Sequence, residues 1–153
     1  MEQVSWDDCQ AFISKLNRLT GQNFRLPTEA EWEFAARGGN NSRRYKYCGS
    51  NTIDNVAWYS HNSNSQTHNV ACRAANELGL FDMSGNVLEW CQDWFGNYSS
   101  SSQTNPTGPS SGSYRVIRGG SWNYDEWSSR VLSRSSSSPV QRYSYLGFRL
   151  ALQ

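Results

Sequence analysis

What this sequence has little of narrows its function first. No apolar run approaches the roughly 20 residues of a membrane helix, and the opening MEQVSWDDCQ lacks the basic and apolar regions of a signal peptide. The chain therefore reads as soluble and unprocessed, with no membrane insertion. Lys and Arg number 14 against 13 Asp and Glu, for a net charge of +1, and no basic stripe stands out. The electrostatic footprint of a nucleic-acid partner is missing. Two histidines and four scattered cysteines, Cys9, Cys48, Cys72 and Cys91, form no C-x-x-C pair and no cluster of zinc-ligand spacing. Free thiols and a single disulfide both stay open, since the spacing fixes no pairing.

Aromatic residues are plentiful. They make up 14% of the 153 residues, with seven Trp and eight Tyr, while only 37% are hydrophobic. Each ring buries a large area, so a few can hold an aliphatic-poor domain. One domain over 1–153 with a tryptophan-centred core is the expectation.

Ser5 and Asp8 read as a capping box ahead of Trp6, Cys9, Phe12, Ile13, Leu16 and Leu19 at helical spacing, predicting a helix over about 5–19 that ends at Gly21. An extended piece near Phe24 to Leu26 follows. Thr28 and Glu31 repeat the box before Trp32, Phe34, Ala35 and Ala36, predicting a second helix over about 28–37. The turn-rich chain from Gly38 to Asn76 is irregular, anchored by Tyr45, Tyr47, Val56, Trp58 and Tyr59, with His61 and His68 as plain polar side chains. In LGLFDMSGNVLEWCQDW, Asp82, Asn86, Glu89 and Asp93 alternate with tryptophans around Gly85. Oxygen donors so spaced suit calcium, and they equally suit a turn and strand whose acids pair with arginines. Gly96 to Tyr114 is a low-complexity loop. RVIR alternates as a half-buried strand does, Gly119-Gly120 marks a bulge or close approach, and LGFRLAL closes the chain as a strand. The whole reads as α+β.

Between the two stiff ends of 115–152 lies a stretch of Ser, Tyr, Asn and Asp. Buried without partners, such groups cost about 1–3 kcal/mol each. They must face water or a ligand. Tyr gives rigid contact area and Ser and Asn give adaptable hydrogen bonds, as in antibody paratopes, while Arg118, Arg130, Arg134 and Arg149 read as structural forks that hold the backbone.

RLPTEAEWEFAARGG, NVAW, GLFDMSGNVLEWCQDW, RVIRGGSW and LGFRLAL, in this order, resemble the sulfatase-modifying-factor family of formylglycine-generating enzyme. The resemblance implies its variant of the C-type lectin fold: two helices, short twisted antiparallel sheets and long loops. It implies structural calcium on the Asp82 side chain, the Gly85 and Val87 carbonyls and the Glu89 side chain. A second family site would begin at Asn55 and Val56, but its downstream ligands have no match here. The family's catalytic cysteines, expected after Gly119-Gly120-Ser121-Trp122, are absent from Asn123 to Ser129, so the chain is expected not to be an enzyme.

Within that family the chain most resembles the variable proteins of diversity-generating retroelements, in which adenine-directed copying rewrites AAC-type codons between GGSW and GFR. The residues such rewriting yields stand at Asn123, Tyr124, Asp125, Ser128, Ser133, Ser135, Ser136, Ser137, Ser138, Val140, Tyr143, Ser144 and Tyr145. The resemblance thus implies a ligand-binding protein with a hypervariable surface over about 115–152, directed at a protein or glycan, and leaves its location open, display on a cell surface or phage particle included. The alternatives are a degenerate enzyme relative or a structural module of a phage fibre or cell-surface assembly. Family members carry further residues ahead of the segment like EQVSWDDCQ. Three readings follow: a naturally minimal domain, an oligomer or partner chain completing the sheet, or a reduced sheet closed by Gly21 to Leu26 and the C-terminal strands.

Overall fold

The computed structural model describes residues 1–153. Helix α1 spans Trp6–Thr20 and α2 spans Glu29–Ala36. Both expected capping boxes are formed. Ser5 accepts from the Asp8 N–H at 3.1 Å while Asp8 accepts from the Ser5 N–H at 2.8 Å, and Thr28 and Glu31 do the same at 3.2 and 2.9 Å. Each box satisfies two amides that would otherwise have no intrahelical partner. Gly21, in the left-handed region at φ 70°, ends α1.

The strands are β1 (Phe24–Arg25), β2 (Leu88–Trp94), β3 (Arg115–Arg118), β4 (Arg134–Ser137), β5 (Leu146–Gly147) and β6 (Ala151–Leu152). Four of them form one sheet in the order β4-β3-β2-β5, antiparallel except for the parallel β2–β5 contact. The other two, β1 and β6, pair antiparallel, Phe24 opposite Leu152. The chain's own Phe24–Arg25 segment thus meets its C-terminal strand in a second, two-stranded sheet.

The strand register sorts the core into two halves. Trp90 lies opposite Ile117 and Ile117 opposite Ser135, so these share one face. That face packs with Leu88, Leu146, Leu26 and, from α1, Cys9 and Ile13. Val116 and Cys91 join Trp32 and Ala36 of α2, with Met83, Cys48 and Val131. Each half holds one fully buried tryptophan, Trp90 at 0% and Trp32 at 1% exposed. Their indole N–H groups donate to the Val4 carbonyl and the Glu89 carboxylate. Both rings thus bury their area without stranding a donor.

Three apolar helix positions differ from expectation. Phe12, Leu19 and Phe34 are 42%, 72% and 55% exposed. The buried row of α2 is Glu29, Trp32 and Ala36, spaced i, i+3, i+7, and Phe34 falls off it. In α1 only Cys9 and Ile13 are buried, and Phe12 sits at the rim, edge-on to Phe148 with ring centroids 5.6 Å apart. All four cysteines are free thiols, Cys72 exposed and the other three buried. His68 also departs from a plain polar role, stacking on Trp58 at 3.8 Å with Arg73 3.6 Å above the same ring.

Candidate functional site

The polar stretch after β3 is held from beneath. Arg118, fully buried, donates to the carbonyls of Val131 (3.2 Å), Leu132 (3.3 Å) and Ser133 and pairs with Glu33. Arg134 pairs with Glu29 through Nε and Nη2 at 2.8 and 2.6 Å and donates to the Gly96 carbonyl at 2.8 Å. These are the forks the sequence led us to expect. Arg130 instead stacks on Trp127, 3.4 Å from the ring centroid. At the start of the stretch Gly120, at φ 72°, allows a turn that no side chain fits: an added Cβ would lie 2.5 Å from the Ser129 hydroxyl.

On this frame the chain forms a cleft of about 320 Å³, floored by Leu88 and Ile117 and walled by Tyr124, Asp125, Trp127, Ser128, Ser133 and Ser135. Tyr124 meets Tyr145 edge to face at 5.6 Å, and Tyr145 stacks on Tyr143 at 4.8 Å, so three tyrosines form one aromatic ledge. Burial, followed by the neighbouring Tyr124, pushes the Tyr145 phenol up to about 12, which keeps it neutral and proton-bearing. The Ser128 amide and hydroxyl, each 2.9 Å from Asp125, hold that carboxyl below its usual range. Glu29 already balances Arg134, so Asp125 leaves the cleft with an anionic wall that favours hydrogen-bond donors.

The thirteen expected surface positions divide as follows. Asn123, Tyr124, Asp125, Ser135, Val140 and Ser144 are exposed; Ser128, Ser133, Ser136, Ser138, Tyr143 and Tyr145 are half-buried; Ser137 is buried. The cleft gathers Tyr124, Asp125, Ser128, Ser133 and Ser135, and the ledge adds Tyr143 and Tyr145. Asn123, Ser136, Ser137, Ser138, Val140 and Ser144 lie outside the cleft. Ser137, opposite Arg115, shares a face of β4 with exposed Ser135 and is buried at the strand's end. Trp127 was given no role by sequence reasoning, yet it is 59% exposed and walls the cleft. The signal available was a lone tryptophan in a polar stretch.

The expected calcium residues are engaged with one another's neighbours. Asp82, at φ 57°, accepts the Ala71 N–H at 2.7 Å. Glu89 receives Arg149 on both oxygens, 2.6 and 2.7 Å, and the Trp32 indole at 2.7 Å. Gly85 packs against Trp58, whose carbonyl would lie 2.3 Å from a Cβ there, and Val87 leads into β2. With both Glu89 oxygens paired to a guanidinium, Asp82, Gly85, Val87 and Glu89 as arranged do not fit a divalent cation. They fit the other reading of this segment, a turn and strand whose acid pairs with an arginine.

Two helices on opposite faces of a small sheet, with long loops carrying the surface, define the C-type lectin fold of the formylglycine-generating-enzyme type. The likeness extends over nearly the whole chain: Treponema denticola variable protein 1 superposes with a TM-score of 0.91 at 36% identity, covering 98% of this chain and 69% of that one. The family described as Sulfatase-modifying factor enzyme 1-like domain matches residues 1–153, and the chain belongs to it. Among its relatives, formylglycine-generating enzyme from Streptomyces coelicolor is 39% identical over 97% of this chain and 51% of its own length. The mouse enzyme is 34% identical over 97% of this chain and 42% of its own. The chain thus spans about half the length of these enzymes.

These relatives correct the expectation of no enzyme. That expectation rested on the missing cysteines of one short segment, Asn123 to Ser129, whereas the identity extends over nearly the whole chain and points to a catalytic family.

Proposed function

We propose that the domain recognises a protein or glycan ligand through the cleft and tyrosine ledge between Trp122 and Leu146, as a variable protein of a diversity-generating retroelement. The observation that carries this reading is the separation of frame from surface. Arg118 and Arg134 fix the backbone from the buried side. Tyr124, Asp125, Ser128, Ser133 and Ser135 face the cleft and hold no part of the core. Such a surface changes sequence without unfolding the domain, and the likeness to Treponema denticola variable protein 1 supports it. The test is to sequence the source locus. A reverse-transcriptase gene and a near-copy of the 3′ end that differs only at adenines are expected. A locus with neither sinks the reading.

Family membership favours a second reading, turnover of a cysteine-containing peptide in the same cleft. Incubating the purified chain with a sulfatase-derived cysteine peptide, dioxygen as oxidant and a thiol reductant, and following the peptide mass, separates the two: conversion to the aldehyde with loss of the sulfur supports turnover, and an unchanged mass counts against it.

A further inference from the structure

A second and larger concavity lies away from the tyrosine ledge. It measures about 1040 Å³ and opens between α2 and the Gly96 to Pro109 loop, just above the usual size of small-ligand sites. The charges in its wall are spoken for inside the protein. Arg37 pairs with Glu33 at 2.8 Å and Arg134 with Glu29 at 2.6 Å. No free guanidinium therefore faces the cavity to select a phosphate, sulfate or carboxylate. Asp93, 4% exposed, is the carboxylate of this wall without an arginine partner; it accepts the Glu29 N–H at 2.9 Å, and burial raises its pKa. The loop side supplies hydroxyls and amides, among them Asn97, Ser101 and Gln103.

Tyr98 stands over this polar wall in a fixed pose. Its hydroxyl donates to Glu29 at 3.1 Å and the Arg134 guanidinium lies 4.1 Å from its ring centroid, yet the residue is 65% exposed. A ring held by two contacts and still open to solvent is a ready stacking platform, since its ordering entropy is already spent. Phe34, 55% exposed, adds a second ring on the α2 side. Hydroxyl- and amide-bearing walls suit a ligand that both donates and accepts many neutral hydrogen bonds, and flat rings suit one with C–H faces.

The geometry points to a second binding site between α2 and the Gly96 to Pro109 loop that takes a neutral oligosaccharide, with Tyr98 and Phe34 as its stacking platforms. The site is separate from the cleft at Tyr124, and its failure leaves the reading of that cleft untouched.

The test applies the full chain to an array of neutral gluco-, manno-, galacto- and N-acetylglucosamine oligosaccharides beside sulfated and sialylated ones, then titrates the neutral oligosaccharide retained. Retention of a neutral probe is expected. Tyr98→Ala weakens it by about tenfold or more with the melting temperature unchanged, and Phe34→Ala provides the same readout should Tyr98→Ala fail to fold. Tyr124→Ala leaves the affinity as it was. Retention of no probe, or of anionic probes alone, overturns the proposal. So does a neutral sugar whose affinity falls with Tyr124→Ala and not with Tyr98→Ala or Phe34→Ala.

Discussion

Glu89 and Arg149 meet at the seam between β2 and the last turn of chain, with Glu89 only 5% exposed. Removing one member of such a pair leaves the other charge without compensation, and here it also leaves the Trp32 indole without its acceptor. Glu89→Ala is therefore expected to lose about 3 kcal/mol in urea unfolding. Because Arg149 already satisfies Glu89, the parent chain should melt at the same temperature in calcium as in chelator. A rise of several degrees in calcium would place the ion on Asp82, Gly85, Val87 and Glu89 instead. The cysteines give a second check at this scale. Burial pushes the Cys9 and Cys48 thiols up to about 12, and that of Cys91 up as well. The thiolate is the reactive form, so native chain treated with iodoacetamide should gain one adduct, at exposed Cys72, and denatured chain four.

One element whose stability can be tuned by pH is the start of α2. Arg25 grips Glu31 at 2.6 and 2.7 Å while Glu31 caps Thr28. The Arg25 hydrogen bonds, ahead of the cap, lower the Glu31 carboxyl from 4.5 to about 2. A depressed carboxyl stabilises the fold fully above its unfolded value and loses that contribution as pH falls through the folded one. The melting temperature should accordingly drop between pH 4.5 and about 2. Arg25→Ala should melt lower at neutral pH and show a shallower fall across that window. Thr28→Ala removes the reciprocal cap and is expected to cost about 1 kcal/mol.

For the molecule as a whole, the division between frame and surface predicts where substitution is tolerated. Ser135 is exposed and borders the cleft, so Ser135→Tyr is expected to shift stability by about 0.5 kcal/mol or less. Ser137, two residues along β4, is 8% exposed, and Ser137→Tyr should cost about 1–3 kcal/mol by overpacking. Chemical denaturation of the two variants compares them directly. Equal costs would mean that the greater burial of Ser137 at the end of β4 does not limit substitution there.

The amino-acid sequence by itself determined the features whose causes are local. Ser5 with Asp8 and Thr28 with Glu31 satisfy their own helix ends within one turn, so both helices were legible, and the ordered motifs from Arg25 to Leu152 carried the family. The tertiary structure decided what depends on distant neighbours. Phe12, Leu19 and Phe34 have helical spacing, but only strands from elsewhere in the chain fix which stripe of each helix is covered. Leu88 and Ile117 become the floor of a cleft only when β2 and β3 pair, and Trp127 becomes its wall with the Arg130 guanidinium stacked on its ring and the Ser133 hydroxyl donating to its carbonyl. Glu89 had two kinds of partner open to it in sequence, calcium or an arginine, and it was the return of the chain at Arg149 that paired it, because a charge buried in strand β2 is stable only with an opposite charge brought to it.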